Sequence, residues 1–135
     1  NALFGKSFTR GLECPTNAAL NYGYSILLSH FSREIAVNGY LTQIGIFHDN
    51  MFNHFNLSSD LMEPFRVLID RAVYEMKPEK FESEEKYKLW QVFSQTVYCA
   101  GSKQLVSAAI QIYTRSVLAS MTSGNAEDIR FYQKA

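Results

Sequence analysis

"CPTNAALNYGYSILLSHFSREIAVNG", residues 14–39, decides the fold class. Leu20, Tyr24, Leu27, Phe31 and Ile35 recur at steps of three and four, the spacing that lines one face of an α-helix. Pro15 suits a first helical turn, where its missing N–H would have no partner in any case. Gly39 offers a stop. The pattern predicts a long helix over residues 16–38.

Working outward, residues 39–59 are rich in Gly, Asn, His and Ser, and their short apolar bursts fit neither the helical nor the strand period. They read as a structured connection, with a helical turn around Met51. "DLME" then has the form of a capping box, Asp60 as cap and Glu63 three residues on. It precedes a stripe of Leu61, Phe65, Leu68, Ala72 and Met76, which predicts a second helix over 60–76. The charged run "KPEKFESEEKYKLW" reads as a solvated break whose acidic residues open a third helix, from about 83 to 98, along Leu89, Phe93 and Val97. After "AGSK", the residues Val106, Ile110, Tyr113, Val117 and Met121 define a fourth helix ending near Gly124. The tail from Asn125 is polar and expected to be mobile. With no strand pattern of useful length, the expectation is all-α: a helical bundle making one domain of residues 1–135.

Composition limits what such a bundle can do. At 135 residues and 47% apolar, the chain suffices for one core. Thirteen basic residues balance 13 acidic ones, so any anionic partner must be held by a metal or by a few placed side chains and not by a bulk field. Cys14 and Cys99 show no CxxC spacing and read as inert thiols in a reducing compartment. No apolar run approaches the roughly 18 residues that span a bilayer, so a soluble, cytoplasmic protein without a membrane partner is expected.

Three histidines and a few carboxylates carry the possible chemistry. His30 lies beside the apolar stripe of the first helix and reads as structural; His54, in "FNHFN", reads as a loop histidine between rings. His48 is followed by Asp49 and Asn50 and can be either a hydrogen-bonded loop residue or a ligand. Glu63 can close the capping box or pair with Arg66; equally, it can present a carboxylate opposite a loop imidazole as part of a divalent metal site. One imidazole with carboxylates suits Mn²⁺ or Mg²⁺.

"NAALNYGYSILL" followed by "NGYLTQIGIFHDNMFNHFNLSSDLMEPFR" closely resembles the C-terminal helical domain of the CRISPR-associated integrase/endonuclease family, Cas-one (Cas1), and is nearest to its type II-A branch. The likeness is strong from residue 1 to about 76 and weak beyond. His48 of "GIFHDN" and Glu63 of "DLMEPFR" stand where the family keeps two of its three metal ligands, 63 − 48 = 15 residues apart. The resemblance implies that the third ligand, a glutamate, lies upstream of Asn1. The chain would then be a fragment without that helix and without the N-terminal β-rich domain, and inactive by itself. Asp60 reads first as a helix cap and second as an acid near the ion without binding it, and Arg66 reads either as an orienting or phosphate-facing residue or as a plain ion-pair partner of Glu63 or Asp70.

For the whole protein the resemblance implies a metal-dependent DNA integrase and endonuclease of spacer acquisition. The 3′-hydroxyl of a captured foreign fragment would attack a phosphodiester at the CRISPR repeat, an exchange that needs no nucleotide fuel, and no GxxxxGK[ST] loop occurs. The implied partners are DNA, a second copy in a homodimer, the small Cas-two (Cas2) subunit, and in this branch a Csn-family ring protein and the effector nuclease. The alternative is a non-catalytic helical interaction module in which His48 and Glu63 are structural.

Overall fold

The computed structural model describes residues 14–45 and 54–134, with side chains for 14–38 and 57–134. Helices α1 (Pro15–Gly45), α2 (His54–Met76), α3 (Ser83–Trp90) and α4 (Val106–Ser123) make up most of it. Strands β1 (Thr96–Cys99), β2 (Ser102–Leu105) and β3 (Tyr132–Lys134) form one small antiparallel sheet in the order β2-β1-β3. Among these residues no helix is long and apolar enough to cross a membrane.

α1 opens as its sequence dictates: Pro15 is the first helical residue, and the Cys14 carbonyl and Sγ accept from the N–H groups of Ala18 and Asn17. It does not stop at Gly39 but runs to Gly45. One interior glycine costs a helix only about 1 kcal/mol, too little to end one whose neighbours continue to favour it. α2 begins at His54, six residues ahead of the expected start. Leu57 continues the apolar stripe backwards, and the buried Ser58 takes a hydrogen bond from the Ser32 hydroxyl of α1 at 3.0 Å. A buried serine is invisible to a reading of apolar period.

α3 is the largest departure. It ends at Trp90, passes through a 3-10 turn (Gln91–Ser94), and turns extended at Gln95 to enter β1. Thr96, Val97 and Tyr98 are β-branched and aromatic residues that favour a pleated surface. "AGSK" is thus part of a hairpin: Ala100 and Gly101 both have positive φ, 55° and 84°, as a two-residue type I′ turn requires. The polar tail is ordered too. Asn125 Oδ1 accepts from Glu127 N–H to start a 3-10 turn (Ala126–Asp128), and β3 then pairs with the free edge of β1.

The core sits between α1, α2 and α4. Phe31, Phe65 and Tyr113 meet there, with centroids 5.4, 6.2 and 5.5 Å apart, and Tyr132 of β3 lies 4.5 Å from Phe65. α1 and α2 approach so closely at Gly23 that a Cβ there would come within 2.5 Å of Ile69 Cγ2. On the other flank of α1, the nearly buried Glu34 faces Arg115 Nε of α4 at 3.7 Å.

Candidate functional site

α2 carries all the described candidates. Asp60 is the seventh residue of the helix and Glu63 the tenth, so the expected capping box does not exist at this place. The reciprocal cap occurs instead at the start of α3, where Glu82 N–H donates to Glu85 Oε1 at 2.8 Å. Glu63 is freed from a capping role, and 59% of its side chain is exposed. Asp60 is exposed as well.

Glu63 is the end of a connected set. Arg66 Nη1 donates to Glu63 Oε2 at 2.8 Å, one helical turn away. The Arg66 guanidinium also lies over the ring of Tyr24 in α1, 4.4 Å from its centroid. Tyr24 in turn donates its hydroxyl to Asp70 Oδ1. Burial, and then the bond to and the charge of Asp70, push the Tyr24 phenol up from 10.0 to about 12, with Arg66 pulling the other way. Its bond to Glu63 holds the Arg66 guanidinium above its ordinary value, against the opposing effect of burial. Glu63, Arg66, the neutral Tyr24 and Asp70 therefore form one connected line between α1 and α2.

Pro64 follows Glu63 inside the helix and removes the N–H that would bond the Asp60 carbonyl. The Tyr132 hydroxyl donates to the Pro64 carbonyl at 2.7 Å, tying this turn to β3. Tyr132 could not have been assigned from the sequence, since its partner is 68 residues away. Tyr24 had shown only as an apolar position on the stripe of α1.

Of the expected residues, Asp60, Glu63 and Arg66 share α2. His48 and the side chain of His54 lie outside the described residues, although position 54 itself starts α2 and is not in a loop. His30 is structural, as its place suggested: its ring stacks on Phe93 at 4.1 Å, and Nδ1 is 2.9 Å from the Ile26 carbonyl, which can only accept and so fixes the proton there. The two cysteines are free thiols, and burial raises that of Cys99. Among the described residues no three His, Cys, Asp or Glu side chains converge to hold a metal. An exposed carboxylate such as that of Glu63 is nevertheless chemically suited to a hard divalent ion completed by ligands from elsewhere.

The sequence pattern of the family CRISPR associated protein Cas1 matches residues 4–92. The chain belongs to the Cas1 family. A "CRISPR-associated endonuclease Cas1" of Neisseria meningitidis serogroup C is 35% identical over 134 residues, which are 96% of this chain and 44% of that protein. A "CRISPR-associated protein Cas1 3" of Methanobrevibacter ruminantium is 39% identical over 73 residues, 51% of this chain and 22% of the relative. A "CRISPR-associated endonuclease Cas1 1" of Thermus thermophilus is 37% identical over 71 residues, 52% of this chain and 22% of the relative. The chain thus spans less than half the length of these Cas1 relatives. Likeness to the meningococcal Cas1 continues well past residue 76, where the resemblance read from the motifs had faded, and so covers the strand-bearing region too.

Proposed function

We propose that in the full-length protein His48 and Glu63 bind one Mg²⁺ or Mn²⁺ together with a glutamate from outside residues 1–135, and that this site performs the DNA strand transfer of CRISPR spacer acquisition. The observation that carries the reading is Glu63 itself, an exposed carboxylate in a Cas1-family motif that is oriented by Arg66 and not consumed by a helix cap. When bound, the ion would stabilise charge on the attacked phosphate and on the attacking and leaving oxygens.

The chain's own residues supply the frame. Arg66 holds the Glu63 carboxylate through their 2.8 Å bond, and its guanidinium is itself positioned by the ring of Tyr24. Tyr24 stays neutral at working pH, with its phenol near 12, and so remains a donor to Asp70. In the exchange the 3′-oxygen of one DNA end forms a bond to phosphorus as the bond to the leaving 3′-oxygen breaks. The proton of the attacking hydroxyl ends on the leaving oxygen, so one phosphodiester replaces another. Water in place of the hydroxyl would give endonuclease cleavage, the activity in the names of the meningococcal and Thermus relatives. A homodimer bridged by Cas2, with the ring protein and effector nuclease, completes the proposed assembly.

The test pairs Mn²⁺ calorimetry with a strand-transfer assay on wild type, His48→Ala and Glu63→Gln. Loss of both metal binding and transfer in each variant is expected. Wild-type transfer in either variant would remove it from the site. The Glu63–Arg66 pair also fits a non-catalytic interaction module; in that case neither variant would change metal affinity.

A further inference from the structure

The two carboxylate oxygens of Glu63 are not equivalent. Oε2 accepts from Arg66 Nη1 at 2.8 Å, whereas among the described residues no donor reaches Oε1. Over the turn on either side of Glu63, residues 59–67, Arg66 is the only cation, and the exposed Asp60 adds a second acid. The counter-charge that α2 gives Glu63 therefore comes from one guanidinium.

That guanidinium is seated independently of Glu63. It lies over the ring of Tyr24, 4.4 Å from the centroid, and the Tyr24 hydroxyl bonds Asp70 Oδ1. Asp70, one turn beyond Arg66 on α2, is thereby already engaged by another donor. An arginine does not shed its proton at any working pH. The positive charge thus stays beside the carboxylate that a divalent ion would have to bond.

Arg66 acts on such an ion in two opposite ways, and their sizes differ. As a donor it aims the carboxylate. Both side chains are exposed, however, 37% for Arg66 and 59% for Glu63, and an exposed pair of this kind is worth at most about fivefold in an equilibrium constant. As a charge it shares one carboxylate with a doubly positive ion, a repulsion of about tenfold in binding constant even at the dielectric constant of water. The repulsion is the larger effect.

We propose that Arg66 is a built-in competitor of the metal: it neutralises Glu63 in the ion-free protein and holds down the affinity of the site for a divalent cation. The inference rests on the metal-ligand reading of Glu63 and assigns the regulation of that site. It reverses the sign expected of a residue that only aligns a ligand, whose removal weakens metal binding.

The test is Mn²⁺ calorimetry at low salt on the full-length protein, comparing wild type, Arg66→Met, Arg66→Lys and Glu63→Gln, with a melting curve in EDTA to establish that each variant is folded. Arg66→Met keeps an unbranched apolar stem and should bind Mn²⁺ about tenfold more tightly than wild type. Arg66→Lys keeps the charge and should stay within about threefold of wild type. The advantage of Arg66→Met should shrink as salt is raised, because ions screen a charge effect and leave a geometric one in place. Glu63→Gln should lose the binding, both alone and combined with Arg66→Met. Unchanged Mn²⁺ affinity in Glu63→Gln would remove the metal reading of Glu63 and the proposal with it. If Glu63→Gln does lose the ion, equal or weaker binding in Arg66→Met overturns the proposal alone and makes Arg66 an aligning residue. A gain in Arg66→Lys equal to that in Arg66→Met, or a gain that does not respond to salt, would overturn it as well.

Discussion

The α1–α2 pair and the strand-bearing region from Thr96 onward share one core but are held in different ways. In α1 and α2 the buried apolar residues repeat within each helix, so that Phe31, Phe65 and Ile69 find their places from local periodicity and then pack across one interface. In the sheet no strand exceeds four residues, and β1 is fixed by partners as remote as Lys134, which pairs with Val97. The first arrangement stands on its own repeats; the second exists only once the rest has assembled. Yet the dependence is mutual, because Tyr132 of β3 bonds the Pro64 carbonyl beside Glu63. The strand-bearing region clamps the turn of α2 that bears the candidate carboxylate.

The largest expected effect separates chemistry from stability within α2. Glu63→Gln in the full-length protein should cut strand transfer at least about a hundredfold, because it removes a proposed metal ligand. Its effect on stability should stay under about 1 kcal/mol, the ceiling for an exposed ion pair such as that with Arg66. An integration assay and a melting curve on the same sample decide it; a loss of activity that tracks unfolding would reduce Glu63 to a structural residue.

Next comes the α1–α2 interface. Gly23→Ala should destabilise by about 1–3 kcal/mol, since the new methyl would overlap Ile69 Cγ2. Ile69→Ala alone should also destabilise, through a cavity, but the pair should be less damaging than the sum of the singles. A double-mutant cycle by chemical denaturation reads the coupling. Strict additivity would mean that the helices do not meet as described. The matching test of the clamp is Tyr132→Phe, which keeps the ring on Phe65 and removes only the bond to Pro64. It should cost about 1 kcal/mol and raise amide exchange in the turn around Glu63. Unchanged exchange there would show that β3 and α2 are uncoupled.

The same contrast explains what was legible in the sequence. The four helices were, because Leu20 to Ile35 and Val106 to Met121 repeat for long enough to outvote single breakers. Some of their ends were as well, at Met76, Ser83 and Gly124, but others were not: Gly39 was too weak a stop for α1, and buried Ser58 disguised the start of α2. The strands escaped notice because "TVYC" and "SKQL" are too short to establish alternation, and Val97 sits at helical spacing from Phe93. In the candidate site, Glu63 and Arg66 could be read together as neighbours on one helix. Tyr24 could not, because its partner Asp70 is 46 residues away. The capping box was expected at "DLME", whereas the structure forms one at "ESEE", whose acidic residues had been read only as the opening of the third helix.

The smallest prediction turns on that difference. Glu85 closes the cap that opens α3, and the Glu82 N–H holds its carboxyl below its ordinary value of 4.5. A carboxyl whose folded pKa is lowered contributes stability above its unfolded pKa and loses it as pH falls through the folded one. The contribution is therefore present at neutral pH and fades below about pH 4.5. Glu85→Gln keeps an acceptor for Glu82 N–H but carries no charge to meet the positive end of the helix. Wild type should then melt slightly above the Gln variant at neutral pH, and the two curves should converge in acid. A gap that persists undiminished near pH 3 would show that the cap acts through its hydrogen bond alone. Closure of the gap would place a working, charge-dependent capping box at α3, where the sheet-bearing region begins.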